Sequence, residues 1–126
     1  MKITSFETFQ LQAPLEIPFG WSQDTITSRS VGLVKITTDE GIIGWGEGCG
    51  GPAAAVVNEI FAPLLKGDDP TNRLAIWQKM FHSIYNANLA VGFGGSAISA
   101  VDTALWDITG KTLGMSVSDL LGGRVR

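Results

Sequence analysis

At 126 residues, with twelve acidic and nine basic side chains and a formal charge of −3, the chain has the length of one domain with a single core. Its charges are scattered without a basic cluster, which excludes the electrostatic footprint of a nucleic-acid binder, and no stretch approaches the ~18 unbroken apolar residues of a membrane span. The lone Cys49 excludes a disulfide framework within the chain, and Lys2-Ile-Thr-Ser5 is not an apolar signal core, so the expected setting is a reducing cytoplasm.

Residues 2–12 mix apolar and polar positions with β-branched and aromatic types and predict a strand. From Ala13 to Asp24, two prolines and a glycine interrupt the pattern and predict an irregular loop carrying Ile17, Phe19 and Trp21. Segments 30–38 and 42–48 predict two further strands joined by Asp39-Glu40-Gly41, which makes a three-stranded antiparallel meander. Six of the eleven positions from Gly41 to Gly51 are glycine. Such density is expected where the backbone turns sharply or approaches something closely.

Beyond the glycines the period changes to that of a helix. Pro52 opens a helix over 52–66 at a tolerated first-turn position and Gly67 stops it, with Pro63 distorting its last turns. Asp69-Pro70 is a start signal for a helix over 70–86, on which Leu74, Trp77, Phe81, Ile84 and Tyr85 recur at helical spacing. Ser96 to Leu113 carries Ile98, Val101, Leu105, Ile108 and Thr112 on one stripe before Gly114, and 116–121 makes a last short turn. Strands first and helices afterwards define an α+β fold: a three-stranded antiparallel meander followed by a bundle of three main helices.

A search for chemistry assigns no catalytic residue and no metal ligand to the chain. His82 is the only histidine, on a predicted helix without a second ligand, and Cys49 has no orienting partner for nucleophilic work. Asp68-Asp69 reads as favourable charge and capping at a helix N-terminus. Asp107 stands four residues before Lys111, the spacing of an ordinary intrahelical ion pair. Asp102, close to the apolar stripe, reads as a structural acid that needs hydrogen-bond partners. Gly44-Trp-Gly-Glu-Gly48 lacks the strand-to-helix context of a nucleotide loop.

Lys2-Ile-Thr4, Asp39-Glu-Gly-Ile-Ile-Gly-Trp-Gly-Glu47, Ser99-Ala-Val-Asp-Thr-Ala-Leu-Trp-Asp-Ile-Thr-Gly-Lys111 and Leu120-Leu-Gly-Gly123 together resemble the N-terminal capping domain of the enolase superfamily. The likeness is to the mandelate racemase and muconate lactonizing enzyme branch, particularly its sugar-acid dehydratases and aldarolactone cycloisomerases. The resemblance implies that residues 1–126 are one capping domain, ending where a catalytic TIM barrel would begin; the barrel itself is absent. It implies two substrate-specificity loops, about Leu15 to Arg29 and Gly46 to Pro52. Phe19 and Trp21 would be apolar walls, Glu47 and Cys49 contacting residues, and the glycines room for substrate. The barrel would supply the bases and the acidic ligands of Mg²⁺, so this chain binds no cofactor of its own.

The implied partners are that barrel domain, a small carboxylate substrate such as an acid sugar, and further copies in a homo-oligomer. Charged residues make up only 17% of the chain, where roughly 25% is ordinary, in keeping with an apolar face turned to a partner. The competing expectation is a stand-alone, non-enzymatic ligand-binding or oligomerisation module.

Overall fold

Burial alternates along the second half of β2 (Asp24–Thr38) with a period of two: Gly32, Val34, Ile36 and Thr38 are buried and the residues between them half-buried. That pattern gives the sheet one covered face and one open face. The computed structural model describes residues 1–87 and 89–124. β1 (Ile3–Trp21) and β3 (Ile43–Glu47) flank β2, all antiparallel, in the order β1-β2-β3. Three strands and then helices is the α+β order read from the sequence.

The hairpin between β1 and β2 corrects one expectation. Residues 13–24, expected to be an irregular loop, lie almost wholly in strands that run out to a turn at Ser22-Gln23. Pairing continues to Pro14↔Ser28 and resumes at Phe19↔Ile26, with Leu15 to Pro18 standing against Thr27 alone. Proline cannot donate to a ladder but is tolerated on an edge strand and at a bulge. Pro14 and Pro18 border this irregularity, so they bend the ribbon without ending it.

The helical segment after β3 comprises α1 (Pro52–Val56), a π-helical turn (Val57–Phe61) and α2 (Ala62–Leu65). The distortion expected from Pro63 lies one turn upstream. Pro63 has no N–H for the carbonyl four residues before it, and the backbone widens there, with Ala62 N–H bonded to Val57 five residues back. α3 (Arg73–Tyr85) starts later than 70 because Asp69 turns inward on itself. Its Oδ1 accepts from the N–H and the hydroxyl of Thr71 at 2.9 and 2.8 Å, an Asx turn in place of a helix cap.

α4 (Phe93–Leu113) begins three residues before the predicted start and ends on Gly114 in the left-handed conformation. Its stripe of Ile98, Val101, Leu105 and Ile108 is buried, while Thr112 is exposed and donates its hydroxyl to the Ile108 carbonyl at 2.8 Å. Each buried aliphatic side chain of this kind contributes about 1.5–3 kcal/mol. A short α5 (Val117–Leu120) follows, capped by Ser116, whose side chain accepts from the Asp119 N–H. The core lies between the sheet's covered face and α4, with Phe61, Leu65, Ile76 and Met80 closing it from the other helices.

Candidate functional site

The two segments singled out in the sequence leave the sheet at the same place. Gly48 and Cys49 both donate their N–H groups to the Gly32 carbonyl, at 3.0 and 3.3 Å. Gln10 completes the fastening: its Nε2 donates to the Cys49 carbonyl at 2.9 Å and its Oε1 accepts from the Gly51 N–H at 3.1 Å. A side chain on Gly32 would lie only 2.3 Å from the Cys49 carbonyl carbon, so glycine at 32 lets the loop press against the root of the hairpin. Gln10 had no signal in the sequence, where it is one polar residue of a mixed strand.

The glycines meet the close approach expected of them, and for two of them the neighbour is the protein's own helix. A Cβ on Gly44 would stand 2.6 Å from the Ile108 side chain, and one on Gly46 would stand 2.9 Å from the Ala100 carbonyl carbon. β3 therefore packs backbone to backbone on α4, and these two glycines make room for the protein's own helix. Gly41, Gly48 and Gly51 adopt φ of 80°, 123° and 55°, a region closed to most side chains. Cys49 is fully buried among the core residues. Burial pushes its thiol above the ordinary range, the behaviour of an inert packing cysteine. The structure thus turns Cys49 away from the surface on which it was expected to meet a substrate.

Phe19, Trp21 and Glu47 are exposed. Phe19 and Trp21 are two apart on one strand and share a face of the ribbon, and Ile17 is 82% exposed beside them. The Arg29 guanidinium stacks over the Phe19 ring, 4.7 Å from its centroid, and so supplies an oriented positive charge on an arm whose other charges are the acids Glu16 and Asp24. Glu47 lies opposite Leu33, at the root, whereas Phe19 lies opposite Ile26. Seven residues of β2 separate those two positions, roughly 23 Å at ~3.3 Å per residue. The two halves therefore lie too far apart to close on one small molecule by themselves. Among the described residues, no group of three His, Cys, Asp or Glu side chains is placed to hold a metal ion.

Comparison with known proteins fits this arrangement. The pattern of the mandelate racemase/muconate lactonizing enzyme N-terminal domain matches residues 3–122. The chain is 40% identical over 128 residues to D-galactarolactone cycloisomerase of Agrobacterium fabrum strain C58, an alignment covering 100% of this chain and 33% of that protein. It is 47% identical over 98 residues to D-galactonate dehydratase of Variovorax paradoxus strain S110, covering 75% of this chain and 25% of the relative. The crystal structure of an enolase from Streptomyces coelicolor aligns with a TM-score of 0.87 at 41% identity, over 100% of this chain and 33% of that one. The chain spans a third or less of the length of these relatives. It belongs to the mandelate racemase/muconate lactonizing enzyme family of the enolase superfamily, and its residues 3–122 match that family's N-terminal domain.

Proposed function

We propose that residues 1–126 form the substrate-capping domain of a Mg²⁺-dependent enzyme that acts on acid sugars, as a dehydratase, cycloisomerase or racemase. The observation that carries this reading is the exposed arm. An arm bearing Ile17, Phe19, Trp21 and an oriented Arg29 stands out from a loop fastened at its root, and among the described residues its large apolar side chains are left exposed. A second domain placed against them converts the arm into a lid, which excludes water and selects among substrates by the groups it lays against them. Phe19 and Trp21 form the apolar wall, Arg29 meets a carboxylate or hydroxyl oxygen, and Glu47 stands at the root.

Mg²⁺ belongs to the family, but the described residues do not form a ligand set for it. The ion is assigned to the catalytic region beyond this domain, where it would stabilise the anion formed next to a substrate carboxylate. The barrel domain, a homo-oligomeric assembly and a cytoplasmic setting complete the proposal; among the described residues no helix is long and apolar enough to cross a membrane.

The test is turnover of D-galactonate and D-galactarolactone with Mg²⁺, by the 126-residue chain and by the complete polypeptide of its coding region. Activity in the complete polypeptide alone is the expected result. Tight calorimetric binding of acid sugars by the 126 residues alone, without activity in any longer polypeptide, would favour a stand-alone binding module.

A further inference from the structure

On the helical side of the molecule, α3 and α4 hold a charged group with one buried N–H that makes no hydrogen bond. Arg73 lies at the start of α3 with its guanidinium carbon 3.2 Å from the centroid of the Trp106 ring on α4. Its Nε is 3.9 Å from Asp102 Oδ1, too far for a hydrogen bond. Among the described residues, Arg73 Nε is the only buried side-chain nitrogen or oxygen without a hydrogen-bond partner. A cavity of about 370 Å³ opens beside it, lined by Arg73, Leu74, Trp77 and Asp102. Leu74 is 73% exposed and Trp77 39% exposed, so the rim of the cavity is apolar and its base is the Arg73–Asp102 ion pair, with the cation stacked on an indole.

An arginine stacked on an indole with one buried, unbonded N–H is costly to leave unsatisfied. It is also the group best suited to anchor an interface, where a central arginine pairs with an oxygen inside an apolar ring. The chain spans between 25% and 39% of the length of its relatives, so the natural occupant of an uncovered face is the remainder of the family fold. We infer that this cavity is the docking point of the catalytic domain, which presents a carboxylate or carbonyl oxygen to Arg73 and an apolar surface to Leu74 and Trp77. The inference rests on the capping-domain reading and adds the face through which the two domains are locked.

The test compares the rate at which phenylglyoxal modifies Arg73, followed by peptide mass spectrometry, in the 126-residue chain and in the complete polypeptide. Protection by about tenfold or more in the complete polypeptide is expected from one charge-assisted hydrogen bond. Arg73→Gln in the complete polypeptide should split a single thermal transition into two, while the same substitution in the 126-residue chain leaves its fold intact by circular dichroism. Equal modification rates in the two proteins overturn the inference. So does a reading frame that ends at residue 126, or protection that appears in the 126-residue chain as its concentration rises, which would make the occupant a second copy. Turnover is measured separately: an active polypeptide with Arg73 unprotected refutes only the docking face, and an inactive one with Arg73 protected refutes only the proposed activity.

Discussion

The Trp45 N–H donates to Asp107 Oδ2 at 2.9 Å, and the same oxygen is held by Lys111 Nζ at 2.7 Å. Lys111 also donates to the Ile43 carbonyl at 2.7 Å. One ion pair on α4 thereby closes the outer backbone groups of β3, the edge strand, against pairing with another chain. At the opposite edge, Ile3 exchanges backbone hydrogen bonds with Gly67 and Asp68 at 2.9 Å each. Each edge of the sheet is thus tied to the helical part of the chain, at Ile43 and Trp45 on one side and at Ile3 on the other.

Asp107→Ala should therefore cost more than loss of an ordinary intrahelical pair, which contributes about 0.3–0.5 kcal/mol. Losing the bond from the Trp45 N–H as well, at a site open to water, raises the expected loss to about 1 kcal/mol, measured as a lowered urea midpoint with an unchanged slope. Asp107→Asn, which retains an acceptor, should lie between the two proteins. Equal stability of Asp107→Ala and the parent would show that water replaces the carboxylate at no cost.

The glycines separate by what surrounds them. Gly46→Ala forces a methyl group into the Ala100 carbonyl and should destabilise by about 3 kcal/mol or prevent folding, since overpacking costs of about 1–3 kcal/mol assume some relaxation and a helix backbone yields little. Gly50→Ala meets nothing closer than 3.8 Å, at the Gly32 nitrogen, and should stay within about 0.5 kcal/mol of the parent. Thermal unfolding of both variants checks the pair; similar costs at the two positions would contradict packing of β3 on α4.

Cys49 should be silent to a thiol reagent in the native state, because it is fully buried and burial raises its pKa. Labelling should be about 10³-fold or more slower than in denaturant, following the small fraction of opened molecules. Cys49→Ser should lose about 1–3 kcal/mol by burying an unpaired hydroxyl. Rapid labelling of the folded protein would place the thiol at the surface after all.

Asp69 has its carboxyl held below the ordinary carboxylate range by the Thr71 N–H and, second, by the Thr71 hydroxyl. The folded pKa is depressed, so this contribution is complete above the unfolded value of about 3.9 and is lost as pH falls through the folded pKa. Thr71→Val removes the hydroxyl donor and should move the Asp69 titration upward in an NMR pH series. An unmoved titration would assign the shift to the backbone N–H alone.

The order of elements, the buried stripe of α4 and the Asp107–Lys111 pair were legible in the sequence because each rests on local periodicity or spacing. The hairpin's extent was not: Pro14 and Pro18 signal interruption in sequence, and only the pairing with β2 shows that an edge strand carries them through a bulge. Asp69 gave a cap signal that its Asx turn with Thr71 diverted. The glycine run gave a correct signal of close approach without naming the neighbour, which is α4 for Gly44 and Gly46. Within the candidate site, Phe19, Trp21 and Glu47 were reached through the family resemblance and are exposed. Gln10 and the Arg29–Phe19 stack depend on contacts between strands that no local pattern announces.

Selection of substrate by the arm for chemistry performed elsewhere is decided by kcat/KM of the complete polypeptide over a panel of hexonates, hexarates and their lactones, with and without Trp21→Ala. Loss of an apolar wall should change relative kcat/KM values within the panel by about 10-fold or more, through KM and in a substrate-dependent way. An unchanged ranking, with every kcat/KM within about twofold of the parent, would contradict it.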